Sequence, residues 1–466
     1  MEKNKDLALQ PRSGRYAARH AALLLALFAL TAMPAGAQFT SEGNGTTYSF
    51  ASLAAIDGSG VTFADGKYHV ADNITIAIGD HFTMDAGATV LLADNVTLTI
   101  SGTANFSLAS GSTIGTSSAN ETHAAAIRLE SSATTDISNV TFNGVGLEMR
   151  GGGAVNVTGC HFNGHDGSTA AALYFVSAGA PSAITDCTFA SCRKAAIGSA
   201  ANASQPLTIT GCTLLENSTA NGNVPQINIT AANPLIIADC TIEGNAQNTK
   251  VGGIGISNFM GYNANVSIAR CTVSNNRYGI GLVGPAAKIR IDDCILTDNC
   301  HETDPMQGGS GISLYDPYLL TQAVIAGNTI EGSLWGITVI GCKDVNIGQP
   351  GNSSIQSPGG NVFRNNGFDG NLYDLYNNST LTIYAQNNTW NVANQTEEEI
   401  EKVIFHQHDD ASLGEVIFMP AANATAISHH SAPSRACGRI FSLDGTQRQT
   451  MQRGINIVDG RVVIKD

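Results

Sequence analysis

The sequence predicts an all-β chain wound into a parallel β-solenoid, and three recurring phrases predict it. The first is built on cysteine: Gly159-Cys160-His161-Phe162, Asp186-Cys187-Thr188-Phe189, Gly211-Cys212-Thr213-Leu214, Asp239-Cys240-Thr241-Ile242, Arg270-Cys271-Thr272-Val273 and Asp293-Cys294-Ile295-Leu296. These cysteines are 27, 25, 28, 31 and 23 residues apart, the imperfect period of stacked coils. The second phrase is a mostly small, polar column 5 residues later: His165, Cys192, Asn217, Asn245, Asn276, Asn299, Ser333 and Asn366. The third opens on glycine, as in Gly255-Ile256, Gly279-Ile280-Gly281-Leu282, Gly311-Ile312-Ser313-Leu314 and Gly336-Ile337-Thr338-Val339.

Each phrase has a physical reading. The cysteine phrase alternates a small residue with a large apolar one two places on, which is a short strand with one face inward. Val140 takes the cysteine place upstream, and Asn328, Asn361 and Asn388 take it downstream. The position is therefore an interchangeable rung, and the pattern spans at least ten turns between Val140 and Trp390. Stacked rungs bring Cβ atoms to about 4.8 Å with parallel vectors, wider than the roughly 3.5–4.5 Å of a disulfide. A thiol is also small enough to sit in a core. A free, buried ladder of Cys160, Cys187, Cys212, Cys240, Cys271 and Cys294 is expected. The pairs that could depart from it are Cys187 with Cys192 and Cys294 with Cys300. In the second column Asn217, Asn245, Asn276, Asn299 and Asn366 suit a corner, because asparagine tolerates left-handed backbone angles and its amide can bond along the stack. The glycine phrase permits a tight entry to a further strand.

The ends depart from the period. Residues 1–37 carry Lys3, Lys5, Arg12, Arg15 and Arg19, an apolar run from Ala21 to Met33, and the small exit Ala35-Gly36-Ala37. That is the form of a secretory signal, with an apolar run too short to favour a membrane span. Residues 38–120 are expected to form an amino-terminal cap and the first coils, with Ile74-Thr75-Ile76 and Val90-Leu91-Leu92 among the strands. A cap is needed because an end coil would otherwise expose its core and an unpaired edge. Coils fill 121–395. Thr396-Glu397-Glu398-Glu399 has capping-box form and opens a short helical plug over 396–420. Residues 421–436 read as a linker, and 437–466 as a small β module whose Asp459-Gly460 marks a hairpin.

Charge excludes one class of partner. The chain has net charge −14, and removal of residues 1–37 takes away five basic and two acidic residues, leaving −17. Nucleic acid needs a positive footprint, so it is not an expected ligand. No later segment is apolar for long enough to span a membrane as a helix.

The repeated phrases, over about residues 120–390, resemble those of right-handed parallel β-helix proteins of the pectate-lyase-like superfamily. That resemblance implies a right-handed helix and a fold that often works on polysaccharides, without specifying an enzyme. The last 30 residues resemble the carboxy-terminal sorting modules of exported Bacteroidetes proteins, on Ile440-Phe441-Ser442-Leu443-Asp444-Gly445 and Gly454-Ile455-Asn456-Ile457-Val458-Asp459-Gly460. It implies delivery through an export machinery to the surface or the medium.

Chemistry is less legible. His406-Gln407-His408-Asp409-Asp410 has the composition of a metal cluster, but its histidines are two apart and it reads better as a polar helix end; His429-His430 falls in the linker. No metal is expected. A polysaccharide lyase would need a base and a cation or Arg/Lys to neutralise a uronate carboxylate, with calcium on clustered acids as one route. Asp292, Asp293, Asp298, Glu302 and Asp304 lie near Arg270, Lys288 and Arg290 in sequence, although neighbours such as Asp292 and Asp293 face opposite ways on a strand. A glycosidase would need two carboxyl groups at a set separation. The loop region from Cys300 to Trp335 breaks the repeat and places Tyr315, Asp316, Tyr318 and Trp335 near one another in sequence. Aromatic rings beside polar groups stack on sugars, so these four are the expected carbohydrate contacts, with core packing as the competing role for the aromatics. The sequence thus points to an exported β-helix that meets a polysaccharide or surface glycan, with no assignable reaction. The alternatives are a lyase or hydrolase, and a structural surface protein or adhesin.

Overall fold

A computed structural model describes residues 38–107, 109–117, 125–258, 264–284, 288–349 and 356–422, and the backbone of 440–441, 447–448, 454–458 and 461–465. Residues 1–37, where a secretory signal is expected, most of the expected linker with His429 and His430, and Cys437 fall outside the described residues.

Three long sheets run the length of the molecule. Sheet A has 14 strands, from Phe39–Thr40 to Ile404–Phe405; sheet B has 14, from Thr47–Tyr48 to Val416–Ile417; sheet C has 13, from Val61–Ala64 to Val362–Arg364. Within each sheet the strands are parallel, apart from the opening hairpin of Val61–Ala64 with Lys67–Val70. Each coil visits C, then A, then B: Val140–Asn143, Gly146–Met149 and Val155–Thr158 form one turn, and His161–Asn163 starts the next. At about 4.8 Å per coil the stack is about 60 Å long.

The core is a set of columns. Phe142, Phe162 and Phe189 are buried on successive coils, their rings stacked at 4.7 Å and nearly parallel. Their spacing is the spacing of the strands, so each coil supplies the packing partner of the next.

The two predicted polar columns lie at corners. The cysteine rung is the tight B-to-C corner. The residue before it takes a left-handed conformation, as at Gly159, Asp186, Gly211, Asp239, Arg270 and Asp293 (φ +52 to +65°). This explains the preponderance of Gly and Asp there. Cys160, Cys187, Cys212, Cys240, Cys271 and Cys294 are free and buried. Each thiol donates to the carbonyl two residues before it, at 3.2–3.5 Å. Cys187, Cys192 and Cys294 are all free, as the expected ladder requires, so neither of the two pairs named as possible exceptions forms: the rungs stack along the axis, and Cys192 belongs to the other corner. Beyond Cys294 the column changes chemistry. Asn328 Oδ1 accepts from the Cys294 N–H at 2.9 Å, Asn361 Oδ1 from Asn328 N–H at 3.0 Å, and Asn388 Oδ1 from Asn361 N–H at 2.9 Å.

The second column is the C-to-A corner, and here one expectation is corrected. Asn217, Asn276, Asn299 and Asn366 are buried, whereas Asn245 is not in the ladder. Its amide turns outward to Glu216 Oε2 at 3.0 Å. Gln226, from the sheet A side, fills the gap: its Oε1 accepts from Asn217 Nδ2 at 3.0 Å, and its Nε2 donates to Asn276 Oδ1 at 3.0 Å. The longer glutamine arm reaches from a neighbouring position where an insertion displaces the regular corner.

Both ends are closed. Helix α1, Phe50–Ala54, was not foreseen. It has a reciprocal capping box between Ser49 and Ser52, and it sets Phe50 and Leu53 over the first coil. At the other end helix α2, Glu397–Glu401, is capped by Thr396, but Glu399 reaches back to Asn394 rather than to Thr396. The segment 396–420 is more than a plug, since Ile404–Phe405 and Val416–Ile417 continue sheets A and B. Separately, Gly454–Val458 pairs antiparallel with Arg461–Lys465, in a four-stranded terminal sheet.

Candidate functional site

The outward side of sheet A carries an unusual column. In register from coil to coil it runs Glu148, Tyr174, Gly198, Asn228, Gly255, Gly281, Ser313, Thr338 and Tyr376. Its middle is nearly bare of side chain. The C-to-A corners beside it carry insertions, and these rise as a wall along one edge. Together they enclose a cleft of about 520 Å³, floored by Gly255, Gly281, Ser313 and Thr338.

Tyr278 and Arg277 sit at its centre. The Tyr278 ring is seated in a notch of glycines. A Cβ on Gly252 would lie 2.2 Å from its Cζ, one on Gly281 2.8 Å from its Cε2, and one on Gly255 3.1 Å from its hydroxyl. Burial pushes the phenol up to about 12, against the pull of the Arg277 charge, so it is a proton donor near neutral pH. Arg277 Nη1 donates to Asn223 Oδ1 and Nη2 to the Gln307 carbonyl, which ties the wall loops together. Its Nε is buried and has no protein partner. Gly308 packs on the arginine, where a Cβ would come within 2.9 Å of Cγ.

Trp335 stands at one end of the cleft. It is buried, it packs on Phe368, Tyr373 and Tyr376, and its Nε1 donates to the Pro305 carbonyl at 3.1 Å. These rings form an aromatic cluster with Cys300 and Leu334, separate from the main core.

The four expected carbohydrate contacts are therefore not brought together. Trp335 lines the cleft but presents mostly packing surface. Asp316 is fully buried and holds a turn: its carboxylate accepts from the N–H groups of Tyr318 at 3.0 Å, Leu320 at 2.9 Å and Thr321 at 2.6 Å, and from the Thr321 hydroxyl at 2.7 Å. A carboxylate buried under its own turn with four donors on it is not presented to a sugar hydroxyl. Tyr315 is half-exposed in the next outward column, between Val283 and Ile340, and Tyr318 is 70% exposed on the turn beyond. Neither lines the cleft.

The acids near Cys294 do not converge either. Asp292 is bound by Arg290, and Asp239 by Arg270 at 2.7 Å. Asp293 and Asp298 occupy left-handed corner positions. Asp304 is engaged by Met306 N–H and Gln307 Nε2 of its own loop, which hold it below the usual carboxylate range. Among the described residues no group of three or more His, Cys, Asp or Glu could hold a metal ion. His406 is a structural group: Nδ1 accepts from the Val416 N–H at 2.9 Å, which leaves Nε2 to donate to Glu401 at 2.8 Å.

Sequence reasoning missed Arg277 and Tyr278. A signal was present in Gly255 and Gly281, which stand at outward positions where other coils carry Glu148, Tyr174 or Asn228.

Among solved structures, the chain is similar to the periplasmic alginate epimerase AlgG, 10% identical over 80% of this chain and 83% of that one, with a TM-score of 0.44. It is also similar to pectate lyase Pel9A, at 12% identity over 79% and 75% with a TM-score of 0.21. A third is the A-module of the Azotobacter vinelandii mannuronan C-5 epimerase AlgE4, at 11% over 83% and 98% with a TM-score of 0.24. No curated protein matches the sequence. The family model described as "Right handed beta helix region" matches residues 38–224 and 214–330, so the chain belongs to that family of right-handed β-helices.

Proposed function

We propose that this protein holds an acidic glycan across the outer face of sheet A, with Arg277 taking an acid group and Tyr278 donating a hydrogen bond. The observation that supports it most is the bare floor of Gly255 and Gly281 in a cleft that Arg277 lines, its guanidinium held in the wall by Asn223 and the Gln307 carbonyl. A guanidinium whose two Nη groups each make one such bond, set in a trough lined by Tyr and Trp, suits a sugar that carries a carboxylate. Delivery outside the cytoplasm, assisted by the terminal β module, is part of the same proposal and is supported by the leader sequence.

A second reading is catalytic. Among the described residues lining the cleft none is Asp or Glu, which disfavours a hydrolase working with two carboxyl groups. A lyase or epimerase needs a uronate carboxylate neutralised and a proton moved beside it. Arg277 would serve the first need and Tyr278 would give a proton to the leaving oxygen, but none of the described residues lining the cleft is an Asp, Glu, His or Lys to take the proton beside the carboxylate, which places this reading second.

The test is to incubate the purified protein with acidic and neutral polysaccharides, following retention and new chain ends. Retention of a uronate polymer that Arg277→Ala abolishes is the expected result. New unsaturated ends, lost in Tyr278→Phe, would establish the catalytic reading. No association with any polymer would overturn the glycan proposal and favour protein adhesion.

A further inference from the structure

The outward column of sheet A holds a second charged centre that the cleft does not use. Glu148 is buried, and two arginines converge on one of its oxygens: Arg128 Nε at 3.1 Å and Arg150 Nε at 2.9 Å from Oε2. The side chains of Arg128 and Arg150 remain 38% and 40% exposed, and their terminal Nη groups take no part in these two bonds. Glu130 stands in register with Arg150, each one residue past the paired Leu129 and Met149, so the two arginines and two glutamates balance in charge, and what distinguishes the pair is that both Nε atoms share the one buried carboxylate. The nearby Glu130 accepts from the Ser101 hydroxyl at 3.1 Å. One coil further on, Tyr174 lies over Gly198, where a Cβ would meet its Cδ2 at 3.3 Å. This repeats, on the same face, the tyrosine-on-glycine arrangement of Tyr278.

We propose that Arg128 and Arg150 form a second anion subsite, which takes an acidic group of the same glycan chain that occupies the cleft. The inference rests on the cleft reading for the identity of the ligand. Glu148 has a specific part in it. By binding both Nε atoms it fixes two long side chains in place and leaves their Nη edges for a carboxylate or sulfate. Geometry links the two sites. From Glu148 the register passes through Tyr174, Gly198, Asn228 and Gly255 to Gly281, on the strand that follows Arg277, five coils on, or about 24 Å at the spacing of parallel strands. A polymer lying along the helix axis would follow this column. Once it is anchored at Arg277, the second contact becomes intramolecular and adds affinity through effective concentration.

The experiment compares uronate oligomers of about three and about eight sugars on the full-length protein, its Arg128→Gln/Arg150→Gln variant and its Arg277→Gln variant. Melting curves confirm folding. The short oligomer should bind the double variant as it binds wild type. The long one should bind the double variant about tenfold more weakly, with affinity partly restored by Arg128→Lys/Arg150→Lys. Equal long-oligomer affinity in wild type and the double variant, with loss in Arg277→Gln, would overturn the subsite and leave the cleft standing. Loss in the double variant with none in Arg277→Gln would overturn the cleft reading and leave an anion site at Arg128 and Arg150. If the short oligomer weakens as much as the long one in the double variant, the two-site arrangement is wrong.

Discussion

The B-to-C and C-to-A corners of this helix follow the same repeat and have diverged in opposite ways. At B-to-C, one left-handed residue joins two strands, and the next residue is a buried cysteine or asparagine on coil after coil. At C-to-A, the ladder of asparagines is interrupted, Asn245 swings out, Gln226 substitutes for it, and insertions rise beside sheet A. Most of these corners hold only two residues, as Gly159 and Cys160 do between Thr158 and His161, and only the one between Gly348 and Val362 among the later coils is long. A corner already wide enough for an insertion can vary, and there the cleft is built. Rigid repetition on one edge thus positions variation on the other.

Substitutions should separate the two corners. The largest effect is expected at the tight one. Asn361 Nδ2 donates to Ile325 O, Ile347 O and Asn388 Oδ1, and Asn361 Oδ1 accepts from Asn328 N–H. Asn361→Ala would leave several buried groups unpaired, at a cost of roughly 5 kcal/mol in denaturant unfolding. A cost below about 1 kcal/mol would show that the ladder is not what holds the corner.

A pH effect of similar size is expected at the closing coils. Asp374 is fully buried, and burial raises its carboxyl to about 7, with Asn391 N–H and Asn366 Nδ2 pulling the other way. A carboxyl raised above its unfolded value of about 3.9 favours folding at low pH. Its contribution is complete below about pH 4 and disappears as pH rises through about 7, for a total of roughly 4 kcal/mol. Asp374→Asn should flatten the fall in melting temperature between pH 4 and 8; a wild type already flat over that window would contradict the assignment.

The wide corner should respond in binding more than in stability. Gly281→Val places methyl groups where the Tyr278 ring lies, and should cost about 2 kcal/mol in stability while removing most glycan retention. The smallest effect is expected at Tyr318, which is exposed and touches neither corner ladder nor cleft. Tyr318→Ala should stay within about 0.5 kcal/mol of wild type and leave retention unchanged.

The same contrast explains what could be read from the sequence. Cys160 to Cys294 and their Gly or Asp predecessors were legible because each coil repeats the same steric demand at the same place. Asn245 was misread because its interval fits the column, while the insertion before Gln226 changes which side chain can reach. Trp335 and Asp316 were visible as departures from the repeat, but whether a departing residue faces a ligand or packs a loop depends on neighbours from other coils. Arg277 and Tyr278 were missed for the related reason that Gly255 and Gly281 acquire meaning only when the coils are stacked.

The central claim, that function lies in the cleft over the bare stretch of sheet A, is tested most directly by Arg277→Ala. Affinity for a uronate polymer should fall at least about tenfold, and since Arg277 also ties the wall loops, Asn223→Ala, which removes one of those ties and keeps the guanidinium, should weaken binding much less. Undiminished affinity in folded Arg277→Ala would contradict it.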